Sequence, residues 1–203
     1  MISKTELVNK ALTLVGAKPI VSIDDDTQNA RIVNRVYGSS LKSVLSETLW
    51  NFATKRALLA LVDDEPAWYH PGEIYVYQRP NLCIKIFGTN SPSATWREEG
   101  DYIYSDTEGL GVKYTYFINT PSKYPPFFTE AFVDKLCSDI AFMILNDSRT
   151  AEAFIQKYDT VSLAKAQADN AQIGSPPIMK DDNWVNSKFG GTMDRADLSY
   201  DGL

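Results

Sequence analysis

Residues 27–61 constrain this chain more than any other stretch; they read TQNARIVNRVYGSSLKSVLSETLWNFATKRALLAL. Val33, Val36, Tyr37, Leu41, Val44, Leu45 and Leu49 recur at offsets of three and four, which places them on one side of a helix from about 27 to 49. The other side carries Arg31, Asn34, Arg35, Lys42, Ser46 and Glu47. A helix with one wet side and one apolar side must find partners for the apolar side only. It therefore acts as a pillar against which the rest of the chain is built, with its cations facing outward. Gly38 lies inside it at a local cost of about 1 kcal/mol relative to alanine, which points to a close helix crossing or a bend. The helical pattern breaks at Trp50-Asn51-Phe52, and the chain runs on in extended form to residue 61. Trp50 and Phe52 are expected to plug the bottom of the bundle, sealing its junction with whatever follows.

The remaining helices are marked by caps and stripes. Ser3 and Glu6 have capping-box spacing, Leu7, Ala11 and Leu14 form a stripe, and Gly16 with Pro19 stops the helix, so helix one spans about 4–15. Asp24, Asp25 and Asp26 lack the alternating ligands, glycine and distant glutamate of an EF-hand loop. They are expected to cap the long helix at its positive N-terminus. After Pro125-Pro126, residues Phe128, Phe132, Leu136, Ile140 and Ile144 fall at steps of four. Val133, Cys137 and Ala141 form a second stripe beside them, so this helix is central and apolar nearly all round. Asn146-Asp147-Ser148 ends it, and a fourth helix over about 149–168 presents Ala151, Phe154, Ile155, Tyr158 and Val161.

From 63 to 121 the helical period disappears. Strand-like pieces occur at about 74–77, 82–87, 95–98, 102–104 and 112–118, separated by turns such as Arg79-Pro80-Asn81 and Glu99-Gly100-Asp101. Val112, Tyr114, Tyr116 and Ile118 alternate with Lys113, Thr115 and Phe117, as Leu82, Ile84 and Ile86 alternate with Cys83, Lys85 and Phe87. The expected fold class is α+β: an antiparallel bundle of about four helices with an inserted antiparallel sheet of four or five strands. The chain divides into 1–62 and 122–170 for the bundle, 63–121 for the sheet lobe and 171–203 for an extended tail. From Ala171 onward, Lys180, Lys188 and Arg195 stand against Asp181, Asp182, Asp194, Asp197 and Asp201, with large aromatics at Trp184, Phe189 and Tyr200. Such a segment cannot bury enough surface to fold alone, and its aromatics are expected to anchor it on a partner.

Chemistry is sparse. GxSxG, GxxxxGK[ST], HExxH and CxxC are all missing from the sequence, and His70 is the single histidine. No catalytic residue, metal site or cofactor is expected. Cys83 and Cys137 are expected to be buried free thiols in a reducing compartment. No run approaches a membrane span, and the N-terminus lacks the layout of a secretory signal. A net charge of −6 and a pI near 4.8 argue against a surface that grips nucleic acid, though not against one that DNA slides past. Glu98, Glu99 and Asp101, with Tyr102, Tyr104, Tyr114 and Tyr116 nearby, leave one alternative open: a tail-associated carbohydrate-binding or hydrolysing module on the sheet.

The order of segments resembles a known family. Ala11-Leu12 to Gly16 with Pro19, the long helix, Trp50-Asn51-Phe52, Tyr77 to Pro80 with Leu82, and Phe128 to Ala141 follow one another as in the tail tubular protein A family, the head-to-tail adaptors of short-tailed double-stranded DNA phages. The resemblance spans about residues 3–170. It implies a helical bundle with an inserted sheet lobe, in a non-catalytic connector ring of commonly twelve copies. The ring sits in the virion neck between portal protein and tail nozzle protein, after assembly in the host cytoplasm. It also implies a conduit for DNA packaging retention and ejection, which DNA passes without sequence-specific binding and without a membrane. Within such a ring, the outward Arg31, Arg35 and Lys42 are where a neighbouring subunit's carboxylates would dock.

Overall fold

The structure, a computed structural model, describes residues 2–62 and 68–173. The helices are α1 (Lys4–Leu14), α2 (Gln28–Glu47), α3 (Pro126–Leu145), α4 (Ser148–Lys157) and α5 (Leu163–Gln172). A π-helical turn at Tyr158–Ser162 joins α4 to α5, so the last two make one rod and the bundle has four. The strands are β1 (Thr54–Leu58), β2 (Tyr75–Gln78), β3 (Cys83–Thr89), β4 (Trp96–Glu99), β5 (Tyr102–Ser105) and β6 (Gly111–Tyr116). The fold is α+β.

Local chemistry sets the helix ends. Ser3 Oγ accepts from the Glu6 amide while the Glu6 carboxylate accepts from the Ser3 amide, a complete capping box. Gly16 adopts φ +76° just beyond α1, a conformation that favours glycine. Asn146 ends α3 in the left-handed region, and Asp147 then caps α4 by accepting from the Arg149 amide. The acidic triplet does not cap α2. Thr27 does, accepting from the Ala30 amide. Asp25 instead accepts from the amides of Val21 and Ser22, so its carboxylate ties the linker turn. Gly38 marks no close crossing either: a Cβ built there meets nothing within 4 Å.

α3 is central. Both its stripes are buried, from Phe128 through Ile140 and from Val133 through Ala141, and α1, α2, α4 and α5 pack on it. Two residues expected to bury on the last rod do not: Ile155 and Val161 are exposed. The π turn inserts one extra residue per turn and advances the buried stripe by one position. Ser162 and Ala166 therefore follow Tyr158 inward, and Val161 turns out.

The lobe holds two three-stranded antiparallel sheets rather than one, ordered β1-β6-β3 and β2-β5-β4. The expected strands appear within a residue or two of their places. The extended run expected after Trp50-Asn51-Phe52 contains a further strand, β1, which belongs to the sheet although it precedes the boundary at 62/63. It pairs with β6 along its whole length, from Thr54 opposite Thr115 to Leu58 opposite Gly111. The chain beyond β1 crosses to the second sheet, with Leu61 bridging to Tyr77 and the Val62 amide donating to Val76. β3 does not keep simple alternation: bulges fall between Cys83 and Lys85 and between Ile86 and Gly88, Leu82 is exposed at φ +57°, and Cys83 is buried. The two sheets enclose a second core of Tyr77, Ile86, Ile103, Leu110, Val112 and Tyr114. Tyr116 packs against this core and against the helical one, so β6 is the seam between them.

Candidate interaction surfaces

The seam is sealed by aromatics. Trp50 is 1% exposed, and its indole N–H donates to the Val44 carbonyl at 2.9 Å, a bond made by the last turn of α2. Its ring lies 5.0 Å from Phe128, edge to face, and Phe52 lies 4.6 Å from the same ring and 5.8 Å from Tyr124. Tyr124 donates to the Ile118 carbonyl, at the point where β6 leaves the sheet for α3. Burial pushes the Tyr37 hydroxyl up to about 12 and raises that of Tyr124 further still. Trp50 and Phe52 thus fill the bundle end from which β1 departs.

Asn51, between them, has a separate task. Its amide N–H donates to Asn170 Oδ1 at 2.8 Å, and its Nδ2 donates to the Asn170 carbonyl at 2.7 Å. Asn170 Nδ2 donates in turn to the Leu49 carbonyl at 2.9 Å. This reciprocal clasp holds the end of α5 against the turn that follows α2. Nothing in the sequence pairs two asparagines so far apart.

On α2 the cations stand outward. Arg31, Arg35 and Lys42 are exposed on one stripe, since offsets of four and eleven residues return to nearly the same helical face. Arg31 lies 3.5 Å from Asp26, both well exposed, and Lys42 sits 5.6 Å from the Phe117 ring. No ion pair involves Arg35 among the described residues. Trp184, Phe189 and Tyr200 lie outside the described residues.

The carboxylates of the sheet are committed locally. Glu98 takes a hydrogen bond from Arg79 Nε, while Arg97 lies between Glu73 at 2.9 Å and Glu99 at 3.0 Å. Tyr102 and Tyr104 are half-buried, with the Arg97 guanidinium 6.0 Å from the Tyr104 ring. On the bundle, Asp134 is buried and accepts from both Lys157 Nζ and Ser162 Oγ, which pins the π turn to α3. Both cysteines are free and buried. Burial pushes the Cys137 thiol up to about 12, and its Sγ–H donates to the Ala11 carbonyl at 3.5 Å. Among the described residues no cluster of three or more His, Cys, Asp or Glu is arranged to hold a metal, and no helix is long and apolar enough to cross a membrane.

One surface escaped the sequence reading because the pairing of β1 with β6 did. β1, β3 and β6 together carry Lys55, Arg56, Lys85 and Lys113 and not one Asp or Glu. The signal was present in the runs TKRAL, CIKIFGT and GVKYTY, but it has no meaning until register brings those runs side by side.

No family model matches the chain, and no curated protein matches it in sequence.

Proposed function

We propose that this chain is the subunit of a structural ring adaptor placed between the portal and the tail of a short-tailed double-stranded DNA phage, and that the ring conducts DNA. One support is the resemblance in segment order and spacing, from the capped first helix through Trp50-Asn51-Phe52 to the apolar helix after Pro126. The observation that carries the reading is the outward cationic stripe of α2. Arg31, Arg35 and Lys42 stand on a chain whose Asp and Glu outnumber its Lys and Arg by 26 to 20. Exposed carboxylates at Glu130, Glu152 and Asp159 belong to α3, α4 and the π turn, whose outward faces are other surfaces than that of α2. A contact between two unlike patches is heterologous, and copies joined head to tail this way close into rings when the rotation allows. Electrostatic pairing of this kind fixes register and rate of assembly more than affinity. Trp184, Phe189 and Tyr200 enter the reading as anchors of a docking arm.

Negative-stain microscopy of the full chain, alone and with its cognate portal protein, tests this. The expected result is a ring, either free or formed on the portal, and loss of that ring in an Arg31→Glu/Arg35→Glu variant that keeps its helical circular dichroism. A chain that stays monomeric at every concentration and never associates with the portal refutes the reading.

A further inference from the structure

Charge in this protein is segregated by sheet. The β2-β5-β4 strands hold Glu98 and Glu99 against Arg97, with Glu73, Arg79, Asp101 and Asp106 beside them, and Glu108 lies in the turn from β5 to β6 that joins the two sheets. The β1-β6-β3 sheet holds Lys55, Arg56, Lys85 and Lys113 against no acid at all. A chain net charge of −6 hides this division.

Register puts three of the four cations on one face. Arg56 stands directly opposite Lys113, and Lys85 stands opposite Thr115, two positions along β6 on the same side as Lys113. The other side, with Ala57, Ile86, Val112 and Tyr114, faces the second core. The cationic face is therefore turned away from that core: Arg56 and Lys85 are exposed on it and Lys113 half-buried, while Thr115 between them is fully buried. Lys55, opposite Tyr114, belongs to the other side of β1, where its ammonium lies over the Tyr116 ring at 3.9 Å. None of the four has a carboxylate partner among the described residues. Like charges directly opposite on an antiparallel pair repel, so this arrangement holds together best when an anion lies over it.

The face is also concave at its far end. Gly111 and Val112 form the floor of an open depression of about 460 Å³, rimmed by Arg56, Leu58, Asn90 and Lys113. Asn90 shapes that floor: its side chain accepts from the Gly111 amide and donates to the Gly109 carbonyl. A Cβ on residue 111 would come within 3.1 Å of it.

We infer that this cationic face of the β1-β6-β3 sheet binds the phosphate backbone of nucleic acid, without reading sequence. A second copy of the chain is the other polyanion at hand. The acidic sheet is poorly placed to serve, however, because Glu98, Glu99 and Glu73 are already held by Arg79 and Arg97, and Asp106 accepts from the Thr95 amide and the Thr107 hydroxyl. A row of cations along a strand face, with the Asn90 side chain beside it already bonded to Gly111 and Gly109, suits a continuous line of phosphates. The inference builds on the ring reading, in which DNA passes the subunit. Its test uses soluble chain and free DNA, so failure here leaves ring assembly standing, and failure of the ring leaves this binding measurable.

The test is fluorescence anisotropy of labelled double-stranded and single-stranded oligonucleotides of mixed sequence, titrated with the full chain to about 1 mM, past the usual non-specific range of about 10⁻⁶ to 10⁻⁴ M. With three phosphates neutralised on duplex DNA, log K should fall against log[salt] with a slope of about −2.7, a loss of about 40-fold between 50 and 200 mM salt. The Arg56→Glu/Lys113→Glu variant should lose at least tenfold in affinity and about two units of slope. Lys10→Glu/Lys165→Glu, of equal charge change on the bundle, should bind like the parent. Arg56→Gln/Lys113→Gln gives the same readout without a reversed charge, should the glutamates disturb folding. No binding by the parent overturns the inference, as does equal loss in the bundle control. If the parent self-associates, binds no DNA and is dissociated by Arg56→Glu/Lys113→Glu, the face takes an acidic protein surface and the inference falls.

Discussion

Replacing Asn170 with alanine isolates what the Asn51–Asn170 clasp contributes. The substitution removes two hydrogen bonds, the one accepted by Oδ1 from the Asn51 amide and the one donated by Nδ2 to the Leu49 carbonyl. At a net 0.5–1.5 kcal/mol each, the loss is about 1–3 kcal/mol. Two effects reduce it. Alanine is the better helix former by at most about 0.7 kcal/mol, less near a helix end. Asn51 is exposed, so water takes over part of the bond to its amide. The expected net destabilisation is about 1 kcal/mol, or about 2–4 °C in Tm for a domain of this size. Urea unfolding of the parent, Asn51→Ala, Asn170→Ala and the double variant measures it. Because each residue holds the other in place, the two changes should be coupled by more than about 0.5 kcal/mol, beyond the scatter of independent sites. Hydrogen exchange of the α5 amides should accelerate in both single variants, since the clasp is what fastens the end of that helix. Additive effects with unchanged exchange in α5 would show that the clasp is a surface decoration and that α5 is held by Ala166 and Leu163 alone.

Other expectations follow from the same geometry. Gly38→Ala should raise stability by about 0.5–1 kcal/mol in urea unfolding, because a Cβ there meets nothing within 4 Å; destabilisation would mean that the position is packed after all. Stability should fall on raising the pH from about 9 to 12. The unfolded chain loses its Cys137 and Tyr37 protons at their ordinary values of 9.0 and 10.0, while the folded chain keeps them to about 12. Over that window the folded state binds more protons, so the loss is up to about 1.4 kcal/mol per pH unit for each group. Cys137→Ala should remove the part of the loss that begins near 9, and an unchanged alkaline profile in that variant would refute the assignment.

The two parts of this protein were unequally legible in its sequence. The helices rest on local signals: Ser3 and Glu6 are three residues apart, and the stripes of α3 have a period that only a helix can satisfy. The cationic stripe of α2 needed nothing beyond that period. The extended run through Thr54-Lys55-Arg56-Ala57-Leu58 was legible, but not its place in a sheet, because it has no alternation and Lys, Arg, Ala and Leu all favour helix; it is a strand because β6 pairs with it from more than fifty residues away. The division into two sheets was likewise a matter of long-range register. The π turn shows the same limit within a helix, since Asp134 on α3 holds Ser162 and Lys157 from outside the rod. The clasp of Asn51 and Asn170 carries no pattern at all.

These misses share a consequence for charge. Averaged over the chain, the acidic excess argues against contact with nucleic acid, and that inference is sound only if the charges are mixed. Mixing fails here because strands that lie far apart in sequence come together by sign. β1, β3 and β6 bring only cations, while Glu98 and Glu99 on β4 and Glu73 before β2 find Arg79 and Arg97 within their own sheet. The low-dielectric second core lies between the two sheets, and neither set of charges is placed to neutralise the other across it. On the ring reading proposed above, a basic sheet and a basic helical stripe on an otherwise acidic chain would give the asymmetry that a directional assembly around a polyanion requires. Such a subunit can repel phosphate over most of its surface, and so leave it free to move, while touching it along one face.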